Sequence, residues 1–124
     1  MRVAISATGS SLDSAVDPRF GRCSVLLLVE TDDMSFEVIS NESSSLAGGA
    51  GIQVAQVVAH KGAKAVLTGN CGPNAHQTLS AAGIGVVVGC NGTISEVVAR
   101  FKAGQLQPSA APNVASHSGT GGRR

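Results

Sequence analysis

The run Val25-Leu26-Leu27-Leu28-Val29 limits what this chain can fold into more than any other feature. Its consecutive apolar residues show neither the two-residue period of a surface strand nor the 3.6-residue period of a surface helix. The run is too short for a buried helix and far too short to cross a bilayer. It therefore reads as a strand covered on both faces. Such a strand needs helices on either side of its sheet, and the flanking sequence supplies candidates.

Arg2–Ala7 reads as a strand that ends in Thr8-Gly9. Ser10–Arg22 is polar and contains Asp17-Pro18, so it reads as a loop. Thr31-Asp32-Asp33 makes a turn. Ser35–Ser40 alternates, with Phe36 and Val38 on one side and Glu37 and Ile39 on the other, as in a half-exposed edge strand. After the Ser- and Gly-rich stretch Asn41–Gly51, Ile52, Ala55, Val58 and Ala59 share one helical face and Gln53, Gln56 and His60 another. Gly62 is the expected stop. Ala65–Thr68 is a fourth strand, and Pro73 suits the first position of a second helix. That helix turns Ala75, Leu79 and Ala82 inward and ends near Gly83. Val86–Val88 is a fifth strand. Thr93-Ile94-Ser95-Glu96 has the form of a capping box, and Ile94, Val97, Val98 and Phe101 make an apolar stripe that Gly104 terminates. Pro, Ser, Ala and Gly dominate beyond it, so residues 1–105 are expected to form one domain and 106–124 a disordered tail.

The order is β-β-β-α-β-α-β-α. Right-handed crossovers bring the second half beside the first strand. The expected fold is α/β: a five-stranded mixed sheet in order 3-2-1-4-5, strand 2 antiparallel, with three helices. That is a ribonuclease-H-like arrangement.

Composition narrows the function classes. Phe20, Phe36 and Phe101 are the only aromatics, and the net charge is +1. Neither aromatic base-stacking platforms nor a strong basic field is available, so no nucleic-acid partner is expected. Charge is uneven: residues 1–59 hold three basic and seven acidic side chains, residues 60–124 six basic ones and Glu96. Cys23, Cys71 and Cys90 are an odd set, and Met1-Arg2 leads directly into a strand without a leader pattern. A reducing cytoplasm is the expected location, with no membrane partner.

The topology puts the ends of strands 1, 3, 4 and 5, the start of strand 2 and all three helix starts on one edge. Ligands of open α/β sheets bind at such an edge, and helix N-termini favour an anion. Arg19 and Arg22 add positive charge in the long first loop. Cys23, Cys71 and Cys90 all fall at this mouth. Cys71 and Cys90 are expected as near neighbours and Cys23 farther off, a spread that suits a multi-metal sulfide cluster better than a single ion. The alternative is that all three are small buried packing residues. His76, five residues after Cys71, is a candidate ligand or a solvent-facing helix residue; His60 is expected in solvent. Neither C-x-x-C nor H-E-x-x-H occurs. Strand 1 carries no carboxylate and the mouth offers only Asp13 and Asp17, which counts against a ribonuclease-H-like hydrolase. Gly48-Gly49-Ala50-Gly51 precedes a helix without matching a dinucleotide or phosphate-loop fingerprint.

Three segments in order, Ser11–Arg22, Gly48–Gly51 with Ile52-Gln53, and Thr68-Gly69-Asn70-Cys71-Gly72-Pro73-Asn74-Ala75, resemble the dinitrogenase iron–molybdenum cofactor biosynthesis family, which includes NifX-like carriers and the orange protein. The resemblance covers about residues 1–105. It implies the ribonuclease-H-like fold and the non-catalytic binding or carriage of an anionic metal–sulfur cluster, of the molybdenum–copper sulfide or the iron–molybdenum and iron–sulfur type, with partner proteins for delivery. Nitrogenase-linked members often have His-Phe-Gly where this chain has Arg19-Phe20-Gly21. An arginine cannot ligate a metal but can pair with an anion, which favours noncovalent binding by charge. The expected cofactor-binding residues are Thr8, Gly9, Arg19, Phe20, Gly21, Arg22, Gly51, Asn70, Gly72 and Asn91. The candidate metal ligands are Cys23, Cys71, Cys90 and His76. The competing readings are a cofactor-free interaction or regulatory domain and, less favoured, a hydrolase.

Overall fold

Each strand forms where β-branched and leucine side chains can be buried on a pleated surface. A computed structural model describes residues 1–40 and 50–108. The strands are β1 (Arg2–Ala7), β2 (Val25–Glu30), β3 (Phe36–Ser40), β4 (Ala65–Leu67) and β5 (Gly85–Val87); the helices are α1 (Ala50–His60), α2 (Pro73–Ala81) and α3 (Ile94–Lys102). The sheet order is β3-β2-β1-β4-β5. β2 runs antiparallel to β1 and β3, and β1, β4 and β5 are parallel. The expected α/β topology therefore stands.

The apolar run behaves as its composition requires. Leu26 and Leu28 join Ala4, Val66 and Val86 on the face covered by Val54, Ala55 and Val58 of α1 and Ala75 and Leu79 of α2. Leu27 and Val29 join Val3, Ile5, Leu67 and Val87 on the opposite face, under Ile94, Val97 and Val98 of α3. Burial of such side chains contributes about 25 cal/mol per Å² of apolar surface, and both faces of β2 are buried at four successive positions.

Local signals end the elements as expected. Gly62, Gly83 and Gly104 follow α1, α2 and α3 with φ of +80°, +77° and +78°, a region only glycine enters without strain. The capping box is complete: Thr93 Oγ1 accepts the Glu96 N–H at 3.1 Å and Glu96 Oε1 accepts the Thr93 N–H at 2.9 Å.

Some expectations change. α1 presents Val54, Ala55 and Val58 to the sheet, while Ala59 is half-buried and Val57 is exposed. The apolar arc of this helix includes Val54, Val57 and Ala59, too broad for periodicity to fix its rotation. Ala82 is exposed because it is the C-cap of α2, beyond the last helical turn. Phe36 and Val38 are both exposed, so β3 buries less than a half-exposed edge strand would. β4 and β5 each end one residue earlier than the sequence suggests. Leu106 packs against the α3-side core and Pro108 lies over Gly85, so the chain still touches the domain just past 105. The expected loop through Gly48 and Gly49 and the tail from 109 onward lie outside the described residues.

One buried hydroxyl ties the sheet to the loop that follows it. Ser6 Oγ donates to the Asp17 carbonyl at 2.7 Å and lies 2.7 Å from Thr68 Oγ1. Ser6 has a single hydroxyl proton, so Thr68 donates to Ser6. Ser6 and Thr68 are both fully buried. Ser6→Ala leaves two buried polar groups without this partner and is expected to cost about 1–3 kcal/mol, read as a lower urea midpoint. Ser11→Ala, at an exposed position of the same loop, is expected to stay within about 0.5 kcal/mol.

Candidate functional site: the loop edge of the sheet

Ala7 pairs with Val25 and Val25 with Ser40, so the end of β1, the start of β2 and the end of β3 share one edge. The parallel strands β4 and β5 end there too, and each helix begins there. Residues 8–24 lie across this edge. An antiparallel bridge joins Ala7 to Val16, another joins Ala15 to Thr93, and a parallel bridge joins Arg19 to Asn70. Val16 N donates to Gly92 O at 2.9 Å, Phe20 N to Asn70 O at 3.2 Å, and Ile94 N to Ser14 O at 2.9 Å. The loop is thus stitched to both the β4–α2 and β5–α3 turns.

Two residues make that seam possible. Phe20 is buried in the core beside Cys23, Cys71, Ala75 and Leu79. Its ring anchors the loop and does not line the mouth. Gly69 has no side chain because Pro18 occupies the space: a Cβ there would lie 2.7 Å from Pro18 Cα.

The cysteines are not brought into one ligand set. Cys23 and Cys71 join the core cluster on the α1–α2 side and Cys90 the cluster on the α3 side. All three are buried thiols. Cys23 Sγ donates to Phe20 O at 3.2 Å. Burial pushes the Cys71 thiol up to about 11 and raises that of Cys90, the latter against a hydrogen bond from Thr68 and the charge of Arg100. Ligation uses the thiolate, and burial opposes its formation. His76 is buried, contrary to the solvent-facing expectation, with Nδ1 3.3 Å from Ser80 Oγ. Among the described residues no group of three or more His, Cys, Asp or Glu is placed to hold a metal ion.

The charged and polar candidates are arranged differently. Arg19 and Arg22 are both exposed, and Arg19 lies beside Asn70 at the turn leading to α2. Gly72, the N-cap of α2, supplies no side-chain hydrogen bond, and Pro73 follows it. The first-turn N–H groups of α2 therefore lack the intrahelical cap that a Ser or Asp would give. At α3 the same groups are met by the Thr93–Glu96 box, which places a carboxylate where an anion would sit. Gly51 lies in the first turn of α1. Thr8 Oγ1 donates to Ala15 O at 3.1 Å, and half-buried Gly9 packs against Ser14. Gly21 is half-buried, next to exposed Arg22. Asn91 is exposed, and its carbonyl accepts Arg100 Nη2 at 2.6 Å. Thr8, Gly9, Gly21 and Asn91 thus sit at the edge, with Arg19, Asn70 and Gly72 together at the turn into α2.

Sequence reasoning missed the partner of Arg19. Asp17 Oδ1 accepts the Arg19 backbone N–H at 2.9 Å and lies 3.4 Å from Arg19 Nε. The Asp-Pro-Arg spacing is a signal for such a turn. Arg100, which reaches back from α3 to Asn91, had no signal in a helical stripe.

Such an edge, with exposed Arg19 at the turn into the uncapped start of α2 and exposed Arg22 in the same loop, belongs to a small α/β protein with a mixed five-stranded sheet. The chain belongs to the dinitrogenase iron–molybdenum cofactor family, whose sequence pattern matches residues 1–104. The apo form of the orange protein from Desulfovibrio gigas is similar over 91% of this chain and 96% of its own, with 44% identity and a TM-score of 0.88. A Thermotoga protein described as a candidate NifB has 36% identity and a TM-score of 0.75, covering 86% of this chain and 91% of that one. An uncharacterized protein of Methanocaldococcus jannaschii is 29% identical over 98 residues, 77% of this chain and 83% of that protein. No helix among the described residues is long and apolar enough to cross a membrane.

The raised Cys71 thiol has a pH consequence. The unfolded thiol ionises near 9.0, whereas the folded one keeps its proton to about 11. Between those values the folded state binds the proton that the unfolded state has released, so stability falls as pH rises. Urea midpoints are expected to decline from pH 9 to 11, and Cys71→Ser to flatten that decline.

Proposed function

We propose that this protein is a non-catalytic accessory protein that binds and carries an anionic metal–sulfur cluster at the loop edge, chiefly by charge and hydrogen bonding. The observation that carries the reading is the exposed Arg19, whose backbone bridges Asn70 just before the uncapped start of α2. A sulfide or oxo cluster is bulky and negatively charged, and these groups present positive charge and N–H donors without demanding a fixed coordination geometry. Family membership and the likeness to the orange protein support a cluster as the cargo.

Thiolate ligation is the second route. The assignment of Cys71 and Cys90 to different core clusters and the raised thiols weigh against it. The cluster is cargo to be handed to a partner protein, and a charge-held cluster can leave without thiolate exchange.

Anaerobic reconstitution with tetrathiomolybdate and copper, and separately with iron and sulfide, tests the reading. A coloured stoichiometric complex is expected to survive gel filtration in one mixture. Arg19→Ala and Arg22→Ala are each expected to weaken it about three- to tenfold, the size of a lost charge-assisted contact. Cys23→Ser, Cys71→Ser and Cys90→Ser are expected to keep the colour. Loss of colour in a folded Cys71→Ser or Cys90→Ser protein would establish ligation. No coloured complex in either mixture would leave a cofactor-free interaction domain as the better account.

A further inference from the structure

A carboxylate beside an anion site ordinarily works against it, and Asp17 lies in the loop that carries Arg19 and Arg22. Its side chain is 5% exposed and that of Arg19 is 62% exposed. The Asp17 main chain is fixed at both ends: its N–H donates to Ser6 O at 2.8 Å and its carbonyl accepts Ser6 Oγ at 2.7 Å. Its carboxylate oxygen Oδ1 then accepts the Arg19 backbone N–H and contacts Arg19 Nε. One buried, immobilised oxygen therefore holds the arginine at its backbone and at the root of its guanidinium. The contact uses Nε, so the terminal Nη groups stay available on the exposed side. Among the described residues Arg19 has no other ion pair.

We infer that Asp17 is a positioning residue for anion binding: its carboxylate fixes the Arg19 guanidinium so that the Nη edge is presented to the cluster. The inference rests on the anion-binding reading above and adds the group that orients the arginine. A free arginine surrenders much side-chain freedom on binding, whereas one already clipped has less to lose. Against this stands the direct repulsion between Asp17 and an anion. The two effects have opposite signs, and removing the charge without changing the shape decides between them.

Asp17→Asn does so. The amide oxygen can still accept the Arg19 backbone N–H, so the turn is kept, while the ion pair to Nε is reduced to at most a neutral hydrogen bond, about half as strong. The probe is tetrathiomolybdate, followed by its visible absorbance at low ionic strength. Positioning predicts about three- to tenfold weaker binding, although the protein becomes more positive. In an Arg19→Ala background nothing remains to orient, so Asp17→Asn should leave binding unchanged or about twofold tighter. Arg19→Lys gives an independent route if Asp17→Asn does not fold. Its ammonium keeps the charge but cannot contact Asp17 through one nitrogen and the anion through others. It should bind nearly as weakly as Arg19→Ala. The Nε–H signal of Arg19 in nitrogen-15 spectra reports the clip without any anion, and its exchange should be faster in Asp17→Asn. Wild-type-like or tighter binding by Asp17→Asn in the otherwise native chain overturns the positioning role alone, as does wild-type-like binding by Arg19→Lys. Absence of saturable binding by the wild-type protein overturns the anion reading, and the positioning role with it.

Discussion

The attachment of residues 8–24 to the sheet edge governs the rest of the candidate site. That attachment depends on the Ser6 hydroxyl, which accepts a hydrogen bond from Thr68 and donates one to the Asp17 carbonyl. β1, β4 and the loop thereby meet at one buried point. Phe20 adds an apolar anchor on one side, and the bare Gly69 allows Pro18 to approach. The polar and apolar anchors act on neighbouring residues, so Arg19 projects from a backbone held on both sides. Without them the loop would be a long polar excursion with no fixed relation to α2.

The fold was legible because each level of the sequence pointed the same way. The unbroken run in β2 demanded helices on two faces, and the spacing after it supplied a pair for one face and one for the other. Glycine stops and a capping box marked the ends. The rotation of α1 was not legible, since Val54, Val57, Val58 and Ala59 make an arc wider than its contact with the sheet. Nor was the exposure of Phe36 and Val38, because alternation gives the two faces of an edge strand but not what covers them.

The site was legible by edge and not by contact. Topology alone sends Cys23, Cys71 and Cys90 toward one edge of the sheet. Which face of the sheet each thiol joins depends on the turn after its strand: Cys71 packs with Ala75 and Leu79, and Cys90 with Ile94 and Val97. Single-residue rotations of that kind leave no periodic trace. Likewise three helix starts were expected to offer N–H groups, yet α3 fills its own with Glu96 while α2 has only Gly72 and Pro73. The capping box that fills the start of α3 was itself visible in the sequence.

A cargo held by charge, as proposed, differs from one held by thiolates in one measurable respect, its response to salt. Screening weakens exposed ionic contacts over about 10 Å at 0.1 M salt, whereas metal–sulfur bonds are indifferent to it. The direct measurement is the dissociation constant of wild-type protein for tetrathiomolybdate as sodium chloride is raised from low to near-molar concentration. Binding by Arg19, Arg22 and the start of α2 predicts affinity that falls steadily with salt. Affinity unchanged across the series would contradict it and return the cysteines to the centre of the site.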